Sequence, residues 1–455
     1  MTGFKTRNIE ARLIDEVEGL IEQEKFDALK KLVEEMRPAD VADLIEHLGA
    51  GERIIIFQLL EPEDAGDVLV EIESPIQERI LRNLDNIAIS NIVAEMDSDD
   101  AADLVGDLPA DRAKEVIDAV DDHISEELEK LLPFPEDTAG GIMALEFLAV
   151  KSDVTVGDAI KTIREKGRDI ENLYYVWVTD DFQRLVGVIS LKDLIVEPED
   201  RKVSDIMHPD VISVGVDTDQ EEVANLVRRY DLVNIPVVDD YFRLVGRITH
   251  DDIMDVIEEE NDEDMSFMAG VIDQEITEES TIKISRARLP WLITALFGGV
   301  LAAVIINQFE ASIKAMIALS FFFPVVMAMG GNTGIQASSV VVRGLATGDI
   351  GLVNIGKRLW MELRVALING IVCGGILGLI VGFWVEDYRL GLIVNAALFL
   401  IIVISGLIGT AVPLALKRLN VDPALAAGPF VTTSNDILSL LIYLGLTTFF
   451  LRLTV

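Results

Sequence analysis

The last third of this chain contains five apolar segments, each close to the length that crosses a lipid bilayer. A membrane-spanning helix needs roughly 20 apolar residues, so five such segments between residues 289 and 455 predict a membrane domain rather than buried core helices. The first ten residues lack the apolar core of a secretory signal, so no cleaved export peptide is expected. The predicted spans are Leu289–Phe309, Ile313–Met329, Val365–Trp384, Leu392–Leu416 and Pro429–Leu451.

Basic residues are distributed unevenly around these segments. In membrane proteins, short cytoplasmic loops usually carry an excess of Lys and Arg. Here the connections on one side of the spans carry such an excess, whereas the loop after the third span, Glu386–Arg389, does not. This bias predicts a cytoplasmic N-terminus and an extracytoplasmic C-terminus. The residues on the predicted cytoplasmic side are Arg286, Arg288, Arg343, Lys357, Arg358, Arg364, Lys417 and Arg418.

Charge and apolar character are segregated along the chain. The net charge is −40 although half of the residues are apolar. Residues 289–455 hold seven acidic and nine basic side chains, which leaves 71 acidic and 29 basic ones in residues 1–288. Such an acidic surface repels nucleic acid and favours cations. The only cysteine, Cys373, lies in an apolar segment, so disulfide scaffolds and cysteine-based zinc sites are excluded.

The acidic region begins with a helical repeat. The pattern Asp-x-x-Asp followed by an apolar residue starts at Asp40, Asp64 and Asp100. Spacings near multiples of a dozen residues predict short helices stacked as an α-solenoid, with acidic or proline-led starts. Carboxylates in a first helical turn also have an ordinary explanation, because they complement the helix dipole.

A second repeat follows. Tyr175–Leu194 matches Ile235–Ile253, and each copy has alternating β-branched residues, a turn containing aspartate, a second strand and an Asp-capped helix. This pattern predicts a β-α-β-β-α unit that occurs twice. It resembles a tandem pair of CBS domains, a regulatory module that senses small ligands. The acidic stretch that follows, residues 255–265, repels itself, so it is either disordered or occupied by cations; it is helix-compatible to about Arg286.

Two polar features interrupt the membrane segments. Asp436 lies inside the fifth span, where a carboxylate faces a water-filled path or, alternatively, makes an interhelical hydrogen bond. Gly330–Gly334 is expected to break the second span and to expose backbone carbonyls, unless it is a close helix crossing. Oxygen ligands without histidine or cysteine favour Mg²⁺, Ca²⁺ or Mn²⁺. Two copies of Asp436 at a dimer axis suit one hydrated Mg²⁺.

The whole chain resembles the MgtE family of magnesium channels and transporters. The most specific motifs are Gly330–Gly334, Val421–Leu425 and Ser434–Asp436. The resemblance implies a multidomain membrane protein: an α-solenoid N-terminal domain, two α/β CBS domains, a long connecting helix and a five-helix transmembrane domain. The implied domains are 1–136 (acidic helical repeats), 137–201 and 202–259 (CBS domains), 260–285 (connecting, or plug, helix) and 286–455 (five spans).

The same resemblance implies Mg²⁺ uptake by a homodimer in the cell (inner) membrane, with Asp436 in the pore and Asn332 as a pore-lining candidate. Cytosolic Mg²⁺ would bridge acidic residues between the domains and close the channel, so that the ion is both transported and regulatory. The implied sensor ligands are Asp67, Asp99, Asp103, Asp219, Glu221, Asp231, Asp252, Asp255, Glu260, Glu263, Asp264 and Asp422.

Alternative functions remain open at this point. One is a broader divalent transporter for Mn²⁺ or Co²⁺, and another is a membrane regulator whose CBS domains bind ATP, with Asp193 or Asp252 on the ribose. An enzyme is not expected, because the sequence has no nucleophile–base set, Walker loop or dinucleotide fingerprint. A hydrolase that used Asp436 would lack a second catalytic group.

Overall fold

The computed structural model describes residues 11–454 apart from 169, 171, 270–280, 348–349, 351–354, 420 and 425–428. The chain divides into two compact units, residues 1–258 and 259–455. The boundary falls inside one helix, His250–Ala269.

Short helices build the first part of unit 1. Helices two apart in sequence pack on one another: α3 on α5, α5 on α7, and α7 on α9. Their apolar faces, including Leu44, Leu69 and Val93, are buried against each other. Pro38 and Pro62 occupy first turns, where the missing N–H costs nothing. The predicted solenoid is confirmed. Within the described residues the helices are α1 (Ala11–Glu22), α2 (Phe26–Glu34), α3 (Pro38–His47), α4 (Ala50–Phe57), α5 (Pro62–Val70), α6 (Ser74–Asn83), α7 (Asn86–Val93), α8 (Ser98–Gly106), α9 (Ala110–Ile117) and α10 (Asp122–Leu131).

Two three-stranded sheets follow with the same topology. The first strand of each is parallel to the second, and the second is antiparallel to the third. The hairpin turns are closed by Asp180 and Asp239, whose carboxylates accept hydrogen bonds from backbone N–H groups two and four residues on. The β-α-β-β-α repeat is therefore confirmed. The elements are β1 (Ala149–Lys151), α11 (Val156–Lys166), β2 (Tyr175–Thr179), β3 (Leu185–Ser190), α12 (Leu191–Val196), β4 (Val214–Gly215), α13 (Gln220–Tyr230), β5 (Ile235–Val238), β6 (Leu244–Ile248) and α14 (His250–Ala269), with a 3-10 turn at Val203–Asp205.

Helix α14 differs from the expectation in two ways. It is a single helix from His250 to Ala269, so the last CBS helix continues into the connecting segment without a break at residue 260. The acidic stretch 255–265 is helical, which contradicts the disordered alternative. Residues 270–280, in the middle of the predicted connecting helix, lie outside the described residues.

Long apolar helices form unit 2. Four segments of the described chain are long and apolar enough to cross a membrane: Thr281–Gln308, Ile317–Ala346, Ile355–Trp384 and Tyr388–Arg418. The fifth predicted span coincides with a 26-residue helix, and the count of five stays a prediction. The helices are α15 (Thr281–Gln308), α16 (Glu310–Ala315), α17 (Phe323–Ala346), α18 (Ile355–Trp384), α19 (Tyr388–Arg418) and α20 (Pro429–Thr454), with a 3-10 segment at Ile317–Phe322.

The predicted bounds of the second and third spans are wrong. The helical path breaks at Met316, whose backbone is extended, and Pro324 lies in the first turn of a new helix that continues to Ala346. Proline fits a first turn and not a helix interior, which sets this start. The third helix begins at Ile355 rather than Val365, so it includes charged residues that hydropathy had placed in a loop.

Candidate cation sites

Asp436 lies in the second turn of α20, and its carboxylate is close to the backbone of α17. A methyl carbon placed on Gly331 would lie 3.2 Å from Oδ1 of Asp436. The side chain is half-buried. Because glycine has no side chain, the carboxylate can approach the helix this closely.

Two polar side chains of α17 near this point are exposed. Asn332 follows Gly331, and Gln336 lies one turn further. Exposed amides and hydroxyls on membrane helices ordinarily face water or another protein surface rather than lipid. This arrangement suits a water-filled path beside Asp436.

The glycine motif does not break the second span. Helix α17 is continuous from Phe323 to Ala346 and passes through Gly330–Gly334. The expectation of a broken backbone with exposed carbonyls is therefore wrong, and the alternative of a close helix crossing is correct. A methyl group on Gly409 of α19 would overlap the carbonyl oxygen of Gly334, so the two backbones are nearly in contact.

In unit 1, acidic side chains of the helical domain face those of the second CBS domain. Asp99 of α8 is only 6% exposed. Burial, followed by the charge of Asp252 on α14, raises the pKa of Asp99 well above its ordinary value. The pKa of Asp252 is raised as well, chiefly by burial. The structure thus brings together two of the predicted sensor residues.

Asp100 is a further member of this cluster, and it was missing from the predicted ligands. Burial and the charges of Asp252 and Asp97 raise its pKa to about 7. Burial and the charge of Asp252 raise the pKa of Asp255 to about 6. Asp100 is the first residue of one of the Asp-x-x-Asp repeats. A carboxylate in a first helical turn also complements the helix dipole, so the repeat alone does not identify Asp100 as a cation ligand. Carboxyl groups that are costly to ionise side by side are those a bound cation would stabilise.

The acidic cluster around Asp100 and Asp252 is not arranged to bind a metal ion directly through many side chains. Within the described residues, no group of three or more acidic, histidine or cysteine side chains is arranged to hold a metal ion. Mg²⁺ commonly keeps several water molecules and contacts one or two carboxylates, and the oxygen-only donor set fits that mode.

The other predicted sensor residues of unit 1 belong to α5, α8 and the two ends of α13. Asp219 caps α13 and accepts a hydrogen bond from the backbone of Glu221, and Asp231 ends the same helix in a left-handed conformation, with φ 52°. Asp67 lies on the exposed side of α5, and Asp103 on that of α8. The charge of Asp103 also raises the pKa of Asp100, after burial and the charges of Asp252 and Asp97, so Asp103 adjoins the acidic cluster.

In unit 2, the end of α14 lies close to the segment that carries Asp422. Phe267 packs against Val342 of α17 and Ala424. The carboxylate of Asp422 accepts a hydrogen bond of 2.8 Å from the backbone N–H of Ala424. Glu260, Glu263 and Asp264 belong to the same part of α14, upstream of this contact.

The CBS helices start differently from the prediction. Ser190 and Thr249 are the residues before the helices, and Asp193 and Asp252 lie in the first turns and fold back onto them. The Ser190 and Thr249 hydroxyls donate to these carboxylates at 2.6 and 2.5 Å. The aspartates are thus not the caps themselves, because the hydroxyl residue precedes each helix.

Glu362 is a largely buried carboxylate of α18 that sequence analysis missed. Its side chain is 13% exposed and faces Arg358 across 3.8 Å on α18. A methyl carbon placed on Gly406 of α19 would lie 3.5 Å from the Glu362 carboxylate. The predicted span began three residues later, so the position had been assigned to a loop.

This fold and these sites define a class of protein: a multidomain membrane transporter that carries a helical-repeat domain and a pair of CBS domains. Family models agree. The MgtE model, described as a divalent cation transporter, matches residues 323–446, the MgtE intracellular N domain matches 36–137, and CBS domains match 139–200 and 203–259. The chain belongs to the MgtE family.

Individual relatives support the assignment over nearly the full length. The magnesium transporter MgtE of Bacillus subtilis is 35% identical over 95% of this chain and 96% of its own. The magnesium transporter MgtE of Thermus thermophilus is 34% identical over 96% and 98%. The crystal structure of the cytosolic domain of the Mg²⁺ channel MgtE in complex with ATP is 36% identical, with a TM-score of 0.51, and covers 53% of this chain and 99% of that one.

Proposed function

We propose that this protein takes up Mg²⁺ through the cell (inner) membrane as a homodimer, with the N-terminus in the cytoplasm, the C-terminus outside and Asp436 of each protomer in the pore. The observation that carries this proposal is the carboxylate of Asp436 inside a membrane-domain helix, beside the backbone of Gly331. Two such charges around one axis would offset part of the desolvation of a hydrated divalent ion. The exposed amide of Asn332 would line the same path.

Substitution at Asp436 tests this role. Asp436→Asn keeps size and much of the hydrogen bonding but removes the charge, so it should assemble normally and lose Mg²⁺ uptake in reconstituted vesicles. Asp436→Glu should retain a fraction of the uptake with altered selectivity. Glu310→Gln is the matched control, because Glu310 is an exposed carboxylate of the same unit that pairs with Lys314. Uptake by Asp436→Asn near the parent rate, at equal protein per vesicle, would remove Asp436 from the pore.

The regulatory part of the proposal rests on the acidic cluster of unit 1. Close carboxylates repel one another by up to about 4 kcal/mol per pair at an effective dielectric near 20, so cations between them stabilise the compact arrangement. Cytosolic Mg²⁺ at Asp99, Asp100, Asp252 and Asp255 would thereby close the channel. Only a higher affinity for the closed arrangement can shift that equilibrium. Feedback by the transported ion follows.

ATP is a second candidate ligand of the CBS pair. The relative with a TM-score of 0.51 was crystallised with ATP, and the repeated hydroxyl–carboxylate pairs Ser190–Asp193 and Thr249–Asp252 offer acceptors for a ribose. Titration of the purified protein with ATP, with and without Mg²⁺, tests this ligand. If ATP binds equally well to Asp193→Asn and to the parent, Asp193 is excluded from the site.

A further inference from the structure

The turn of α20 that carries Asp436 is seated in notches formed by glycines of two other helices. A methyl group on Gly298 of α15 would overlap the Cγ2 methyl of Thr433. A methyl group on Gly334 of α17 would overlap the amide nitrogen of Asn435. The residues that flank Asp436 are thus held from two directions.

A third notch sets the register. A methyl group on Gly330 would overlap the hydroxyl of Ser439. Gly330 and Gly334 are four residues apart on α17, and Ser439 and Asn435 are four residues apart on α20 in the opposite order. Successive turns of one helix therefore fit successive turns of the other, and Asp436 faces Gly331 between them.

Shape rather than hydrogen bonding holds these side chains. Asn435 is 1% exposed and Ser439 is 0% exposed, and within the described residues the side-chain polar atoms of both have no hydrogen-bond partner. Burial of a polar group without a hydrogen-bond partner costs free energy, so hydrogen bonding does not explain why Asn435 and Ser439 occupy these buried positions. Their contacts with the glycine backbones leave α20 little freedom to rotate or slide.

We propose that Thr433, Asn435 and Ser439 are positioning residues that fix the Asp436 carboxylate against the glycine notches and so set its affinity for the hydrated ion. The proposal rests on the proposed role of Asp436 in Mg²⁺ passage. A hydrated Mg²⁺ has a rigid octahedral shell, and a site for it must be held to within about 0.5 Å. A small shift of α20 would move both carboxylates of a dimer.

A methyl exchange tests the Gly298 notch. Gly298→Ala adds a methyl group where Thr433→Ser removes one, so the double variant has nearly the parent volume with the methyl group on the other helix. We expect Gly298→Ala to raise the Mg²⁺ concentration for half-maximal uptake roughly tenfold and to weaken discrimination against Ca²⁺. The double variant should return to within about threefold of the parent. Gly299→Ala is the matched control, because nothing lies within 4 Å of a methyl group there.

The outcomes separate positioning from packing. If Gly298→Ala lowers thermal stability and maximal uptake but leaves half-saturation and Ca²⁺ discrimination unchanged, its role is structural and the proposal is wrong. The proposal also fails if the double variant folds without recovering half-saturation, or if Gly298→Ala behaves like Gly299→Ala. Gly334→Ala with Asn435→Ala repeats the test at the second notch should Gly298→Ala fail to fold. A parent protein that moves no Mg²⁺ would overturn the proposed function itself.

Discussion

Asp100 of the helical domain and Asp252 of the second CBS domain lie close enough for the charge of Asp252 to raise the pKa of Asp100. Residues far apart in sequence thereby form one acidic interface within unit 1. Burial is the larger cause of the shift, and both effects oppose ionisation. The folded arrangement of this interface is therefore least stable when all its carboxylates are charged and no cation is present.

The first prediction is that unit 1 loses stability as pH rises, in the absence of divalent cations. A carboxyl group with a higher pKa in the folded than in the unfolded chain binds more protons when folded, so folding is favoured at low pH. For Asp100 the values are about 7 and 3.8, and for Asp255 about 6 and 3.8. The stabilisation is present below the unfolded value and is lost as pH rises through the folded one.

Thermal unfolding of a fragment ending at Glu258 in a chelator measures this effect. The Tm should fall by about 3 °C or more between roughly pH 5 and pH 8. Saturating Mg²⁺ should make Tm less dependent on pH, because bound Mg²⁺ offsets the carboxylate charge that protonation removes at low pH. Equal Tm values at the two pH values in the chelator would contradict the prediction.

A second prediction concerns Asp100→Asn. Removal of one buried charge should stabilise the ion-free protein at pH 8 by roughly 1–3 kcal/mol, because it relieves repulsion and desolvation together. The increase in Tm caused by Mg²⁺ should shrink. Asp118→Asn is the control, since Asp118 is exposed at the end of α9. If the Mg²⁺ response of Asp100→Asn equals that of the control, Asp100 is not part of the cation site.

A third prediction addresses the sensor as a whole. Neutralising Asp252, Asp255, Glu260 and Glu263 together should leave the protein less responsive to Mg²⁺, because it removes the carboxylates that α14 contributes to the acidic interface. Protease cleavage within residues 240–280 is the measurement, and Mg²⁺ should protect the parent more than the variant. A control variant neutralises four exposed acidic residues elsewhere: Asp118, Asp121, Glu126 and Glu129. Equal protection of the quadruple variant and the parent would exclude these four residues as the sensor.

A fourth prediction concerns the pair Arg358–Glu362 within α18. Both side chains are largely buried, so removal of either charge leaves the other without its partner. Arg358→Gln and Glu362→Gln should each lower the stability of the membrane domain, whereas the double variant should be more stable than the sum of the single changes by roughly 0.5–3 kcal/mol. Thermal unfolding in detergent measures this coupling. Strictly additive changes would show that the two charges do not interact.

Much of the architecture was predictable because its signals are local. Apolar runs mark the membrane helices, since each helix must bury or expose to lipid about 20 successive residues. The paired turns at Asp180 and Asp239 repeat within their own hairpins. A charged residue inside an apolar span is rare enough to indicate function, which singled out Asp436.

The misplaced features depend on contacts that neither hydropathy nor a local motif reveals. Hydropathy placed the start of the third helix at Val365, but Arg358 and Glu362 pair inside an extended α18. The Gly330–Gly334 motif is locally compatible with a break or a crossing. The close approach of the α19 backbone at Gly409 and of the α20 side chains Asn435 and Ser439 decides between them. Asp100 looks like any acidic residue in a first helical turn until Asp252 is placed opposite.

Composition and periodicity act within one helix or hairpin, so they were enough to predict the order of the domains, the membrane character of the last third and the importance of the carboxylate at Asp436. Which carboxylates share an interface, and how Asp436 is held, could be read only from the packed helices. Those properties depend on distances between helices, and the glycines at 298, 330 and 334 allow α20 to approach closely enough to set them.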